Sequence, residues 1–159
     1  MFSKFDMKDI GAANYILGME IKRDSEKRML SLIQRKYLET ILQRFNMKDS
    51  KLVNVSIPIG TKLSVVQCPK TQEEEEDMSC VPYASVVGSL MYAMVCTRPN
   101  IEHAVGVLSR FMSNLGKENW TAVKRVFIYL RGTSDYGLCY QGRPGLERML
   151  DIRGFVDAD

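Results

Sequence analysis

Two aspartates, Asp157 and Asp159, stand two residues apart in "GFVDAD" at positions 154–159. The apolar residues around them suggest a buried strand, on which side chains alternate between faces, so both carboxylates would point to the same side. Carboxylate oxygens arranged this way suit a hard cation, yet two neighbours on one strand do not make a complete ligand cage. The other residues with chemical potential are sparse. Cys68, Cys80, Cys96 and Cys139 form no C-x-x-C pair, and with His103 as the single histidine they do not supply a four-ligand zinc site. His103, alone on a helical segment, is expected to be packed or exposed rather than catalytic. A third group is basic. Between residues 98 and 131 lie Arg98, Arg110, Lys117, Lys124, Arg125 and Arg131 against only Glu102 and Glu118, in the most apolar part of the chain. That surplus can meet phosphate or can simply be solvated.

The elements that would position these groups follow from patterning. A chain of 159 residues with 45% hydrophobic and 26% charged residues has the makeup of globular material, one domain or two small pieces. Its net charge of +3 permits contact with nucleic acid without demanding it. The longest apolar run, at 86–96, falls well short of the roughly 20 residues that a membrane span needs. No signal peptide is evident, so the thiols are expected to be reduced, in the cytoplasm or nucleus, with no membrane partner.

Three blocks emerge. In the first, "YILGMEIKRD" and "RMLSLI" flank the turn-like "RDSEK" and predict a β-hairpin, followed by a helix with Tyr37, Ile41, Leu42 and Phe45 at helical spacing. The segment after it is extended by Pro58 and β-branched residues, and "PKTQEEEEDMS" is expected to be a solvated acidic linker. The second block is helical. A helix with Val87, Leu90, Met91, Met94 and Val95 on its buried face stops at Arg98, which Pro99 forces out of helical geometry. A helix starting at Pro99 would bury Ile101, Ala104, Val105, Leu108 and Met112, and another Trp120, Val123, Phe127 and Leu130, with Gly132 as its C-cap. In the third block, "YGLCYQG" and "LDIRGFVDAD" read as two strands that begin a new sheet around "GRPG".

The order "MKDIG", "YILGMEI", "QRKYLETILQRFNM", "PYASVVGSLMYAMVCTRPNIEHAVGVLSRFM", "WTAVKRVFIYLRGT" and "GFVDAD" resembles the polyprotein of plant copia-type LTR retrotransposons. The matching stretch runs from just past the polymerase active site into the start of the ribonuclease H domain and covers essentially the whole chain. The resemblance implies an α+β architecture: a β-hairpin from the end of a polymerase palm, a helical thumb bundle, and the first strands of an incomplete ribonuclease H-like sheet. Its divisions would be a palm-terminal hairpin at 1–33, a helix and extended connector at 34–67, the acidic linker at 68–80, the thumb-like bundle at 81–134, and a truncated ribonuclease H-like start at 135–159.

The resemblance also implies roles. Leu17, Gly18, Met19 and Glu20 would form a primer-grip-like turn, whose main chain holds a primer's 3′ end. Gly88 and Tyr92, four apart on one helix face, would lie along the minor groove of a template–primer duplex, with Ala84 one turn earlier where relatives often carry a polar or basic residue. Arg98, Arg110, Lys124, Arg125 and Arg131 would make sequence-independent phosphate contacts. Asp157 would be the first ribonuclease H-like aspartate. In the intact family enzyme, hybrid cleavage uses two magnesium ions about 3.5 to 4 Å apart. The further ligands are not in this chain, and neither is the polymerase "Y-x-D-D" turn, so no complete metal site and no bound cofactor are expected here. The expected function is a thumb and connection fragment of a reverse transcriptase that grips a template–primer duplex, inactive alone, with the missing polymerase and ribonuclease H parts as its other partners. A helical, transposon-derived nucleic-acid-binding or interaction module without catalysis is the alternative.

Overall fold

A computed structural model of the chain describes residues 11–47, 52–58, 60, 61, 63, 64 and 68–142. The "LGME" stretch turns the chain within two residues: β1 (Tyr15–Ile16) pairs antiparallel with β2 (Met19–Asp24), Ile16 opposite Met19, leaving only Leu17 and Gly18 as the loop. Both have positive φ, +49° at Leu17 and +78° at Gly18, as expected of a primed two-residue turn that follows the right-handed twist of a hairpin. Glycine accepts this geometry freely, whereas a leucine there needs support from its surroundings. The next reversal is the predicted one. β2 pairs with β3 (Met29–Ile33) across a turn in which the Asp24 carboxylate accepts a hydrogen bond from the Lys27 amide at 2.9 Å.

The sheet continues where a new one was expected to start. Gly137–Gln141 forms β4, which pairs with β3 along its whole length, from Met29 opposite Gln141 to Ile33 opposite Gly137, giving the order β1-β2-β3-β4. Within the described residues, "GLCYQ" therefore belongs to the hairpin's sheet, and the divisions at 1–33 and 135–159 share a β-ladder. Alternation identifies a strand but not its neighbour, and β3 offered an open edge. The second strand of that block, with Asp157, lies outside the described residues.

Five α-helices lie among the described residues. In α1 (Arg35–Arg44) the fully buried residues are Leu38, Ile41 and Leu42, with Tyr37 and Phe45 half-buried at its edges. The acidic segment corrects an expectation: Gln72–Ser79 is a helix, α2, although its glutamates are solvated. Thr71 caps it by accepting the Glu74 amide at 3.3 Å, and Glu73, Glu74 and Glu75 complement the positive end of its dipole. In α3 (Tyr83–Cys96) the inward residues are Tyr83, Val86, Val87, Leu90 and Ala93. Met91 is 37% and Val95 75% exposed, opposite to expectation, because "YASVVGSLMYAMVC" carries no charge to mark its outer side.

Pro99–Ile101 makes a single 3-10 turn leading into α4 (Glu102–Ser109). Ile101, Ala104, Val105 and Leu108 are buried as predicted, but the helix ends before Met112, which is exposed while Phe111 turns inward. α5 (Lys117–Gly132) buries Val123, Phe127 and Leu130 as expected, together with Asn119, Ala122 and Val126, and leaves Trp120 half-buried. These apolar faces of α1, α3, α4 and α5 make one core. Directed bonds cross it: the Tyr83 hydroxyl donates to the Leu108 carbonyl at 2.8 Å, and the buried Thr97 hydroxyl donates to Gln34 Oε1 at 2.7 Å.

Candidate nucleic-acid interface

The tight turn and α3 meet at Tyr92. Its hydroxyl donates a hydrogen bond to the Leu17 carbonyl, and its ring packs edge-on against Tyr37 with centroids 5.0 Å apart. Tyr37 in turn donates to the Ser89 carbonyl of α3 at 3.0 Å, and its Cβ lies 3.5 Å from where a side chain at Gly18 would begin. Burial raises the pKa of both phenols, with Cys96 adding to the rise at Tyr92, so both remain neutral donors around neutral pH. Leu17 and Gly18, expected to form a primer-grip-like turn, and Tyr92, expected along a duplex groove, thus adjoin in space.

Beside this junction α3 presents an uncharged stripe. Ala84, Gly88, Met91 and Val95 recur at steps of four, three and four and are exposed, so they occupy one helix face. A Cβ added at Gly88 would meet nothing within 4 Å among the described residues, so packing against them does not require the glycine. Leu17 is 73% and Ile16 47% exposed at the turn. A surface of small and apolar groups can lie against sugar edges without reading bases. Met19 and Glu20 open β2, where Glu20 pairs with Lys22 at 3.4 Å in a largely exposed contact worth little.

The structure divides the basic set. Arg98 is 1% exposed and leaves the phosphate-contact group. Its Nη1 donates to the Thr133 carbonyl at 2.8 Å, Nη2 to Thr133 Oγ1 at 2.6 Å, and Nε to Asn100 Oδ1 at 3.3 Å. The rings of Tyr129 and Tyr136 each lie 5.8 Å from the guanidinium carbon. Burial lowers its pKa from the usual arginine value. Arg98 joins the end of α3 to the end of α5, a role that its position before a proline did not announce. Arg110 is exposed just after α4, and Lys124, Arg125 and Arg131 are half-buried on α5. Arg125 lines a different cleft, of about 380 Å³, with Ile57, Leu63 and Ala122. His103 is exposed.

Asp157 lies outside the described residues, and among the described residues no group of three or more His, Cys, Asp or Glu side chains is placed to hold a metal. None of the described helices is long and apolar enough to cross a membrane.

Over 155 residues, 98% of its length, the chain is 54% identical to the retrovirus-related Pol polyprotein from transposon TNT 1-94 of Nicotiana tabacum. Its homologues include retrovirus-related Pol polyproteins of plant transposons. The corresponding Pol polyprotein from transposon RE1 of Arabidopsis thaliana is 35% identical over 156 residues, 98% of the chain. An uncharacterized mitochondrial protein of Arabidopsis thaliana is 31% identical over 157 residues, covering 99% of the chain and 60% of that protein. The chain spans about a tenth of the two Pol polyproteins, 11% and 10% of their lengths. No protein-family profile and no solved structure matches it. The similarity to the Pol polyproteins runs through the turn, α3 and α5 alike, since it covers nearly the whole chain.

Proposed function

We propose that this chain is the thumb and connection region of a copia-type reverse transcriptase and grips a template–primer duplex through the turn at Leu17–Gly18 and the exposed face of α3. The observation that carries this reading is the Tyr92 contact, which holds the turn beside the Gly88 face. The main chain of the turn would support the primer end, and the Ala84, Gly88 and Met91 side of α3 would follow the minor groove. Arg110, Lys124, Arg125 and Arg131 would contribute phosphate contacts as a group. Polymerisation would need carboxylates that are not among these residues, and RNA cleavage would need further ligands beside Asp157, so the chain alone would bind without catalysing. Magnesium would be held by those other parts, with Asp157 as one ligand from this chain.

The test uses two glycines that both face open space on helices, Gly88 on α3 and Gly106 on α4. Leucine at either site raises helix propensity and should stabilise the fold by roughly 0.5–1 kcal/mol. Only Gly88→Leu should weaken binding of an RNA–DNA hybrid, by at least about tenfold. Joint alanine substitution of Lys124, Arg125 and Arg131 should flatten the salt dependence of binding by up to about 0.9 per lost phosphate contact. A chain that fails to bind hybrid at low salt, or that binds equally well with leucine at 88, would overturn the reading and leave an interaction module as the alternative.

A further inference from the structure

We infer that Tyr92 is a positioning residue, a latch that fixes the Leu17–Gly18 turn to α3 so that turn and helix present one surface. Three observations converge. The Tyr92 hydroxyl, the only donor that its side chain owns, is engaged by the Leu17 carbonyl. Its ring is held from the side by Tyr37, which is itself tied to the Ser89 carbonyl one turn earlier on α3. The turn contains a non-glycine residue at φ +49°, a conformation that leucine adopts rarely and that needs external support. Tyr92 is therefore aimed at its own chain, and its contribution to a bound duplex is indirect. That use of the latch rests on the duplex-gripping reading; the latch itself rests on the intramolecular geometry.

The experiment compares amide hydrogen exchange in the full chain and in Tyr92→Phe, which keeps the ring and removes the donor. The reporters are Met19 and Ile21; the Ile21 amide donates to the Asn14 carbonyl across the β1–β2 hairpin at 2.8 Å. Loss of one hydrogen bond should speed their exchange about fivefold, while the amides of Val123, Phe127 and Leu130 in the core stay unchanged. Leu17→Asn in the Tyr92→Phe background should restore protection, because Asn-Gly is the preferred pair for this turn and no longer needs the latch. Hybrid affinity should fall in Tyr92→Phe with its salt slope intact, since no phosphate contact is removed. Unchanged exchange at the turn, or a loosening that extends equally into α5, would overturn the latch. A loosened turn in a chain that never binds hybrid would support the latch and sink the duplex reading instead.

Discussion

Tyr83 offers a test of the core in which the sign of the effect reverses with pH. The side chain opens α3, is 4% exposed, and donates its hydroxyl hydrogen to the Leu108 carbonyl of α4. Tyr83→Phe keeps the ring and removes that bond. The Leu108 carbonyl still accepts the Phe111 amide at 3.1 Å, so it is not orphaned, and the cost at neutral pH should be near the lower end for a buried hydrogen bond, about 1 kcal/mol. Burial also pushes the Tyr83 phenol from its ordinary value of 10.0 up to about 12. Above the ordinary value the unfolded chain ionises this tyrosine and the folded chain does not, so the stabilising effect is fully present below pH 10 and is lost as pH rises toward the folded value. Each unit of that interval removes about 1.4 kcal/mol, for a total of about 2 to 3 kcal/mol. Other ionisations are common to both proteins and cancel in the comparison. The variant should therefore be less stable than the parent at neutral pH and more stable near the top of the interval, with the curves crossing at about pH 11. Urea unfolding followed by far-ultraviolet circular dichroism measures this directly. Parallel stability curves across the alkaline range would refute the claim that Tyr83 is held neutral by burial.

Arg98→Ala removes two charge-assisted bonds to Thr133, partly offset by relief of the buried cation, and should cost about 3 kcal/mol; a urea-derived loss below about 1 kcal/mol would contradict the joining role. Lysine should not rescue it, because it cannot serve both Thr133 oxygens with a planar fork. Gly137→Ala would bring a Cβ to 2.1 Å from the Leu32 carbonyl, so β4 should shift or detach at a cost of about 2 kcal/mol, seen as faster exchange along β3; a neutral substitution would argue against the β3–β4 register. Thr71→Ala removes the cap of α2 and should cost about 1 kcal/mol of local helix stability, read as lost helicity with an unchanged melting point for the rest; undiminished helicity would show that the cap is dispensable.

The parts of this fold that were legible in the sequence are those with contrast. β2 and β3 are bounded by a polar turn, and α5 alternates Val123, Phe127 and Leu130 with cations, so period and boundaries were both visible. α3 lacks contrast: with no charged residue, several apolar stripes are equally plausible, and only the packing of Val86 and Ala93 against the core selects one. α2 was hidden for the opposite reason. It buries almost nothing, and its order depends on a cap and a dipole rather than on an apolar face. Met112 fell outside the buried stripe because a helix that stops at Ser109 ends the period with it.

Long-range polar contacts leave a fainter trace still. Arg98 and Thr133 lie on different elements, and nothing in "CTRPN" separates an arginine bound for the interior from one bound for solvent. The same holds for the junction of turn and helix. A phenol can donate to any exposed carbonyl, and every residue has one, so the pairing of Tyr92 with Leu17 has no sequence pattern of its own. The local geometry shows why such a partner is needed: this two-residue loop takes positive φ at both positions, and only one of its residues is glycine. A turn that is strained at Leu17 and supported from α3 is more tightly coupled to the helix than an Asn-Gly turn would be. That coupling gives a leucine at this position a purpose that local turn preference alone would count as a defect.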